Sequence, residues 1–346
     1  MFFLIHFHKE KPRQPPALPY NDFTMMNPMT RRTFLQRTGQ SALLAGLAAN
    51  GLFSLGATEP KPRKMTRDLL CGNLGIQAGQ MEAVDLAARH GFESVGADGG
   101  YLASLDASRA ADLKATLHGK GLVFGAAGLP VEFRGDDAPF AESMKKLPGL
   151  IAGLQRAGVD RITTWLNPGS NKLTFLQNFR RHAQRLREVA AVAGDGGVRL
   201  GLEYVAPKTS WVNQRYPFIH TFAEMKDLLT EINAANVGFV LDSWHWWHAG
   251  DSAADILTLQ GREVIAVDLN DAPSGTPKDQ LMDNHRELPC ATGVIDVGAF
   301  LSALNQIGYD GPVRAEPFNQ QVNHMGKEDA CEAASASLKR AFALIT

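Results

Sequence analysis

The sequence of 346 residues predicts a single-domain α/β fold, a (β/α)₈ TIM barrel, on three observations. From residue 69 onward, short apolar segments alternate eight times with longer segments of helical period, as parallel strands with outer helices do. No Gly-x-Gly-x-x-Gly motif follows the first apolar segment, so an open dinucleotide-binding sheet has little support. The length and a hydrophobic content of 45% suffice for one barrel of about 250 residues plus extensions.

The individual elements are placed by composition and period. Strands are expected at Leu69–Ile76, Phe92–Ala97, Leu122–Ala127, Arg161–Leu166, Val198–Tyr204, Val237–Asp242, Val264–Leu269 and Val313–Glu316. Helices are expected at Met81–His90, Ala107–Lys120, Phe140–Ala157, Phe175–Val192, Phe222–Ile232, Val297–Ile307 and Glu328–Leu344. Four of these helices are followed by a glycine, which predicts left-handed helix ends at Gly91, Gly121, Gly158 and Gly308. The long connections Val205–His220 and Ala272–Ile295 predict binding loops.

Charge and cysteine content narrow the function classes. With 35 basic and 36 acidic residues, the chain offers no electrostatic basis for binding nucleic acid or an anionic membrane. The three cysteines lack Cys-x-x-Cys spacing, so neither a zinc knuckle nor a disulfide framework is expected. Cys71 and Cys331 are predicted to be packing residues.

Residues 1–57 are predicted to be an extension that contains an export signal. Thr30-Arg31-Arg32-Thr33-Phe34-Leu35 resembles a twin-arginine signal, and an apolar stretch ending in small residues near Ala57 follows it. This pattern predicts export to the periplasm by the twin-arginine machinery, and its glycines disfavour the alternative of a membrane anchor. Residues 58–67, with two prolines, are expected to be a linker before a barrel of residues 68–346.

Acidic residues stand at the predicted carboxyl ends of four consecutive strands: Glu203, Asp242, Asp268 and Glu316. Catalytic groups of such barrels lie at this end of the strands. One acid after a strand is as readily a helix cap, but four in succession favour a site. Because converging carboxylates repel one another and are costly to desolvate, they predict one bound divalent metal ion. Oxygen donors favour Mn²⁺ or Mg²⁺, and a histidine ligand would favour Co²⁺ or Zn²⁺.

Five further side chains are candidates for binding a substrate. His245 and His248 follow Asp242 closely, and His245 could contact substrate oxygens or a metal. Trp244 and Trp165 could form an apolar wall for a sugar face, although Trp244 could equally be part of the core. Arg286, in the second long loop, could hold a substrate oxyanion or be a solvated surface residue.

The most specific motif lies in the C-terminal half. Gly293-Val-Ile-Asp296, Ile307-Gly-Tyr-Asp-Gly-Pro312 and Glu316-Pro-Phe318 follow one another there. Together with Asp242-x-x-His245 and Glu203, they resemble the xylose isomerase-like TIM-barrel superfamily of sugar (phosphate) isomerases and epimerases, over about residues 69–345. In one departure, Asp268-Leu-Asn-Asp271 stands where the family usually has His-x-x-Asp. In another, Ala291-Thr292-Gly293 replaces a frequent Gly-Glu-Gly.

The resemblance implies that Glu203 and Glu316 are both metal ligands and acid/base groups. It also implies that Asp242 is a ligand and that His245 contacts the substrate. The leading interpretation is therefore a metal-dependent isomerase or epimerase of a sugar or keto-sugar, acting by glutamate-mediated proton transfer through a metal-stabilised enediolate.

Three other functions are compatible with parts of the sequence. A metal-dependent lyase or dehydratase of a keto-sugar, cyclitol or keto-glycoside would use the same proton abstraction. A non-catalytic carbohydrate-binding barrel is disfavoured because both glutamates are present. A DNA-repair endonuclease of related fold is disfavoured because a histidine cluster and a basic groove are lacking, and no nucleic-acid partner is expected. A homo-oligomer is compatible with the sequence, which specifies neither the substrate nor the metal.

Overall fold

The computed structural model describes residues 62–345, so the predicted export signal and most of the predicted linker lie outside the described residues. Within that range eight parallel strands form a closed barrel, each paired with its neighbours in sequence and the last paired with the first. The strands are β1 Thr66–Leu69, β2 Ser94–Ala97, β3 Val123–Gly128, β4 Arg161–Trp165, β5 Arg199–Glu203, β6 Val237–Asp242, β7 Val264–Leu269 and β8 Pro312–Ala315. The predicted barrel is confirmed.

Helices cover the outside of the barrel and cap its mouth. They are α1 Gln80–Arg89, α2 Gly99–Ser104, α3 Ala107–Gly119, α4 Asp137–Ala157, α5 Phe175–Asp195, α6 Lys208–Trp211, α7 Phe222–Ile232, α8 Ser243–Ala249, α9 Ala253–Ile256, α10 Val297–Gln306, α11 Gln320–Asn323 and α12 Lys327–Phe342. Short 3₁₀ turns occur at Cys71–Leu74, Gly261–Glu263 and Lys278–Gln280, and Gly169–Ser170 pairs antiparallel with Tyr216–Pro217. No helix among the described residues is long and apolar enough to span a membrane.

Local sequence signals explain several helix ends. Thr174 and Gln177 form a capping box at the start of α5. Gly158 ends α4 in the left-handed conformation. The other three predicted glycines also have positive φ angles, as expected. Cys71 and Cys331 are free and buried in the apolar core, which confirms their predicted packing role.

The first strand corrects the sequence prediction. It covers Thr66–Leu69 and so begins in the last two residues of the segment expected to be linker, whereas the predicted strand Leu69–Ile76 contains the turn Cys71–Leu74. The apolar segment was wrongly predicted to be a strand, because Gly75, with a φ angle of 74°, ends a turn within it. Two of the polar residues before that turn have specific partners in the strand. Thr66 Oγ1 lies 2.8 Å from Ser94 Oγ, and Arg67 pairs with Glu93 at 3.0 Å.

Candidate active site

The four predicted acids converge at the carboxyl end of the barrel. Glu203 ends β5, Asp242 ends β6, Asp268 lies one residue before the end of β7, and Glu316 follows β8. Because Asp242 and Asp268 are register partners on neighbouring strands, their side chains lie at the same level. Carboxylate oxygens of Glu203, Asp268 and Glu316 lie within 4.8 Å of one another. The structure therefore brings together what the sequence places more than 100 residues apart.

A buried arginine from the second long loop lies between these acids. Arg286 Nη1 donates to Asp242 Oδ2 and to Glu316 Oε2, each at 2.8 Å. Its Nη2 donates to Asp283 Oδ1 at 2.9 Å. The guanidinium is 1% exposed and lies 4.6 Å from the ring centre of Phe318. Arg286 was expected to hold a substrate oxyanion, but three carboxylates of the chain already occupy its donors, so we assign it as an internal counter-ion.

A second arginine neutralises Asp268 from inside the barrel. Arg314 on β8 donates to both carboxylate oxygens of Asp268, with 2.9 Å between Nη2 and Oδ2. Both side chains are buried, and a paired carboxylate of this kind is a weaker ligand than a free one. Asp268, predicted to be a metal ligand, therefore contributes to the acidic cluster as half of an ion pair as well. Its partner was missed, although a lone arginine within an apolar strand beside Glu316 is a visible signal.

The two glutamates differ in how far they are compensated. Glu203 Oε1 is buried and has no hydrogen-bond partner among the described residues. Burial, reinforced by the negative charges of Glu316 and Asp242, raises the pKa of Glu203 well above its ordinary value. Burial and the charge of Asp268 also raise the pKa of Glu316, while Arg286 opposes that rise. Burial and neighbouring negative charge therefore favour the protonated form of both carboxyls, and a positive charge beside them favours the ionised form.

The donor set is compatible with a divalent metal ion. Glu203, Asp268 and Glu316 offer oxygen atoms at a spacing that one ion could bridge, and Glu203, Asp242 and His245 form a second such group. The unpartnered oxygen of Glu203 is the observation that most favours a cation here. Glu203 and Glu316 would be the main ligands of such an ion. Asp242 and Asp268 would keep their arginine partners or bind the ion in place of them.

Of the two predicted histidines, His245 is buried and His248 is half-buried. His245 Nδ1 accepts from the backbone N–H of Ala206 at 3.3 Å, and its Nε2 lies 3.7 Å from Asp242 and 3.9 Å from Glu203. Burial lowers the pKa of His245 and of His248 to about 3. His245 reaches the cavity described next, whereas His248 packs on the ring of Trp244 at 4.5 Å. The structure therefore places His248 behind the predicted substrate site.

A cavity of about 450 Å³ opens at the barrel mouth above the acids. Its walls are Trp165, Pro168, Glu203, Val205, Ser210, His245, Asp283, Arg286, Glu316 and Phe318. Trp165 is 48% exposed and forms an apolar wall, as expected. Trp244 is fully buried, with its ring centre 5.5 Å from the guanidinium carbon of Arg286, so of the two places left open for it, cavity wall or core, it occupies the core. The volume and the mixture of one aromatic wall with converging polar groups are typical of a small-molecule site.

The loop that contributes Arg286 is anchored by one carboxylate. Asp271 is fully buried and accepts backbone N–H groups of Ala272, Thr292, Gly293 and Ile295 at 2.7–3.0 Å. The fourth residue of the Asp268-x-x-Asp271 motif therefore shapes the loop instead of contacting the cavity. Asp283, which the sequence reasoning missed, lies three residues before Arg286 and orients its guanidinium.

Fold and site together define an acid-lined (β/α)₈ barrel with a small-molecule cavity at its mouth. The chain belongs to the xylose isomerase-like TIM-barrel family, whose model matches residues 84–341.

Two relatives and one solved structure illustrate the likeness. The chain is 26% identical to the inosose isomerase of Bacillus subtilis over 199 residues, 58% of this chain and 68% of that protein. It is 30% identical to a 3-dehydroshikimate dehydratase of Pseudomonas aeruginosa over 137 residues, 40% of this chain and 20% of that protein. A xylose isomerase domain protein from Alicyclobacillus acidocaldarius has a similar structure, with a TM-score of 0.71, 29% identity, and coverage of 81% of this chain and 99% of that one.

Proposed function

We propose that this protein is a divalent-metal-dependent isomerase or epimerase of an uncharged keto-sugar. The observation that carries the proposal is the convergence of Glu203 and Glu316 on one cavity, with oxygens within 4.8 Å and with raised pKa values. Two carboxyls placed this way can remove a proton beside a carbonyl and return it to the neighbouring carbon or the opposite face. Similarity to an inosose isomerase supports this class of reaction.

Each residue of the cavity has a distinct part in this proposal. Glu203, whose Oε1 has no partner, is the proton acceptor, and Glu316 is the donor held in place by Arg286. His245, kept neutral by burial, offers its ring to a substrate hydroxyl. A bound divalent ion would supply positive charge that favours the ionised carboxylates and the enolate form of the substrate.

The charge of the cavity favours a neutral substrate. Glu203, Asp283 and Glu316 face it, and the only basic side chain among its lining residues, Arg286, is already paired. An anionic substrate would find no free cation among these lining residues, which argues against sugar phosphates and against the carboxylate substrate that the name 3-dehydroshikimate dehydratase indicates. A lyase acting on a neutral keto-sugar would use the same proton abstraction and would be recognised by its product.

Proton exchange into substrate tests the proposal directly. Protein loaded with MnCl₂ is incubated with D-fructose, D-tagatose and scyllo-inosose in D₂O, and NMR follows deuterium beside the carbonyl and any new sugar. Glu316→Gln should abolish exchange and turnover, whereas Glu287→Gln, a carboxylate outside the cavity lining, should retain them. Normal turnover by Glu316→Gln, or activity unaffected by a chelator, would remove this mechanism.

We also propose that the protein works in the periplasm after twin-arginine export. The support is the Arg31-Arg32 pair with the apolar stretch that follows it. An uncharged substrate suits that location, because phosphorylated sugars are scarce outside the cytoplasm.

A further inference from the structure

A second cavity adjoins the central one at the barrel mouth. It has a volume of about 630 Å³ and shares Ser210, Asp283 and Phe318 with the wall of the central cavity. Its remaining wall residues are Thr209, Met282, Asn284, Gln320 and Asn323. Each cavity alone lies within the size range of roughly 300–1,000 Å³ that holds a small molecule. The two together exceed what one sugar ring requires.

The second cavity has the chemistry of a saccharide site. Apart from Met282 and the shared Asp283 and Phe318, every lining residue is a hydroxyl or carboxamide side chain that can donate to or accept from sugar hydroxyls. The shared Phe318 offers an aromatic ring at the boundary. Asp283 is already bonded to Arg286 at 2.9 Å, and no basic side chain is among the lining residues. A charged ligand group would therefore find no counter-ion here, whereas an uncharged polyol would.

The walls of this cavity are tied together without a ligand. Lys208 Nζ lies 2.7 Å from Asp279 Oδ2, and Thr209 Oγ1 donates to the carbonyl of Leu281 at 2.9 Å. These contacts fix the loop after β5 to the loop after β7. Asn319 Nδ2 donates to the carbonyl of Arg286 at 3.0 Å and so fixes the segment after β8 to the same loop. A cavity whose walls are already ordered loses less entropy when it binds a ligand.

Phe318 separates the two cavities in an unusual backbone conformation. Its φ angle is 37°, a left-handed value that aromatic residues rarely adopt. The conformation holds the ring above the Arg286 guanidinium, 4.6 Å from its carbon, and in the wall of both cavities. Strained residues of this kind persist where the surroundings fix them and are concentrated at ligand sites.

We propose that the second cavity is a subsite for a second, uncharged saccharide unit linked to the keto-sugar in the central cavity. The substrate class is then a keto-glycoside or keto-disaccharide in preference to a free monosaccharide. This inference rests on the proposed function of the central cavity, and it adds a binding role for Asn284, Gln320 and Asn323.

Binding of matched sugars by the manganese-loaded full chain tests the subsite. Calorimetry compares D-fructose with three glucosyl-fructoses of different linkage, namely turanose, leucrose and isomaltulose. At least one disaccharide should bind 10-fold or more tightly than D-fructose. Replacing Asn284, Gln320 and Asn323 together by alanine should remove that gain and leave D-fructose binding unchanged. Gln321→Ala, an exposed glutamine beside the cavity but not lining it, is the matched control and should keep the gain.

The outcomes separate the subsite from the proposed function. If D-fructose binds but no disaccharide binds more tightly, or if the gain survives the triple replacement, the subsite is overturned. If a disaccharide binds and the triple variant loses it while the control does not, the subsite stands. If neither D-fructose nor any disaccharide binds, the proposed function fails and the subsite fails with it.

Discussion

Replacing Arg286 by methionine should destabilise the metal-free protein strongly. The change keeps an apolar stem but removes the charge that bonds Asp242 and Glu316 at 2.8 Å and Asp283 at 2.9 Å. Asp242 is fully buried and cannot regain water. Removing one partner of a buried ion pair costs about 3–5 kcal/mol, because the other charge stays desolvated.

This cost converts into a measurable shift of the melting temperature. A domain of this size loses about 2–4 °C per kcal/mol, so Arg286→Met should melt roughly 6–20 °C below the wild type. Arg286→Lys, which retains a positive charge but cannot bridge the same oxygens, should lie between the two. MnCl₂ should stabilise Arg286→Met more than the wild type, because the ion then neutralises carboxylates that lack any other cation.

Thermal unfolding of chelator-treated protein, with and without added MnCl₂, measures all of these shifts. Lys208→Met, which breaks an exposed ion pair near the same mouth, is the control and should melt with the wild type. A melting temperature of Arg286→Met within about 2 °C of the wild type would show that Arg286 does not compensate these carboxylates, since about 1 kcal/mol is far below the cost of an unpaired buried charge.

Three further predictions concern parts of the chain away from these charges. Asp271→Ala should remove about 3–5 kcal/mol of stability, because four backbone N–H groups lose their carboxylate, and limited proteolysis should then cut within residues 272–295. Burial lowers the pKa of His182 from 6.5 to about 4. The neutral buried ring therefore makes its full contribution to the stability of the fold above pH 6.5, and this contribution is lost as the pH falls toward 4. Urea unfolding should therefore be measured at pH 7 and at pH 4.5. Between these two pH values the free energy of unfolding of His182→Leu should fall by up to about 3 kcal/mol less than that of the wild type. Changing Arg31 and Arg32 together to lysine should stop export, and cell fractionation should then find the protein in the cytoplasm.

Local sequence patterns are sufficient to predict the barrel and the location of its acids. Strand and helix periods depend on neighbouring residues, so seven of the eight strands match their predictions to within two residues at each end, and β6 and β7 match completely. The acids at the strand ends follow from the same alternation, because parallel strands of a closed barrel must end at one mouth. The first strand failed because its polar residues are stabilised by distant partners such as Glu93, which no local pattern reveals.

The way in which the charges at that mouth are balanced depends on contacts between distant parts of the chain. Arg286 comes from a loop 44 residues after Asp242, and Arg314 acts from the strand beside Asp268, so neither pairing is visible in local spacing. A carboxylate is half of an ion pair when a cationic side chain lies within about 3 Å of it, and otherwise it is free to bind a ligand. This distance matters because the attraction between the two charges weakens as they separate and as water enters between them. Trp244 is a similar case. Its aromatic side chain is compatible with a cavity wall or with the core, and its packing in the folded chain places it in the core.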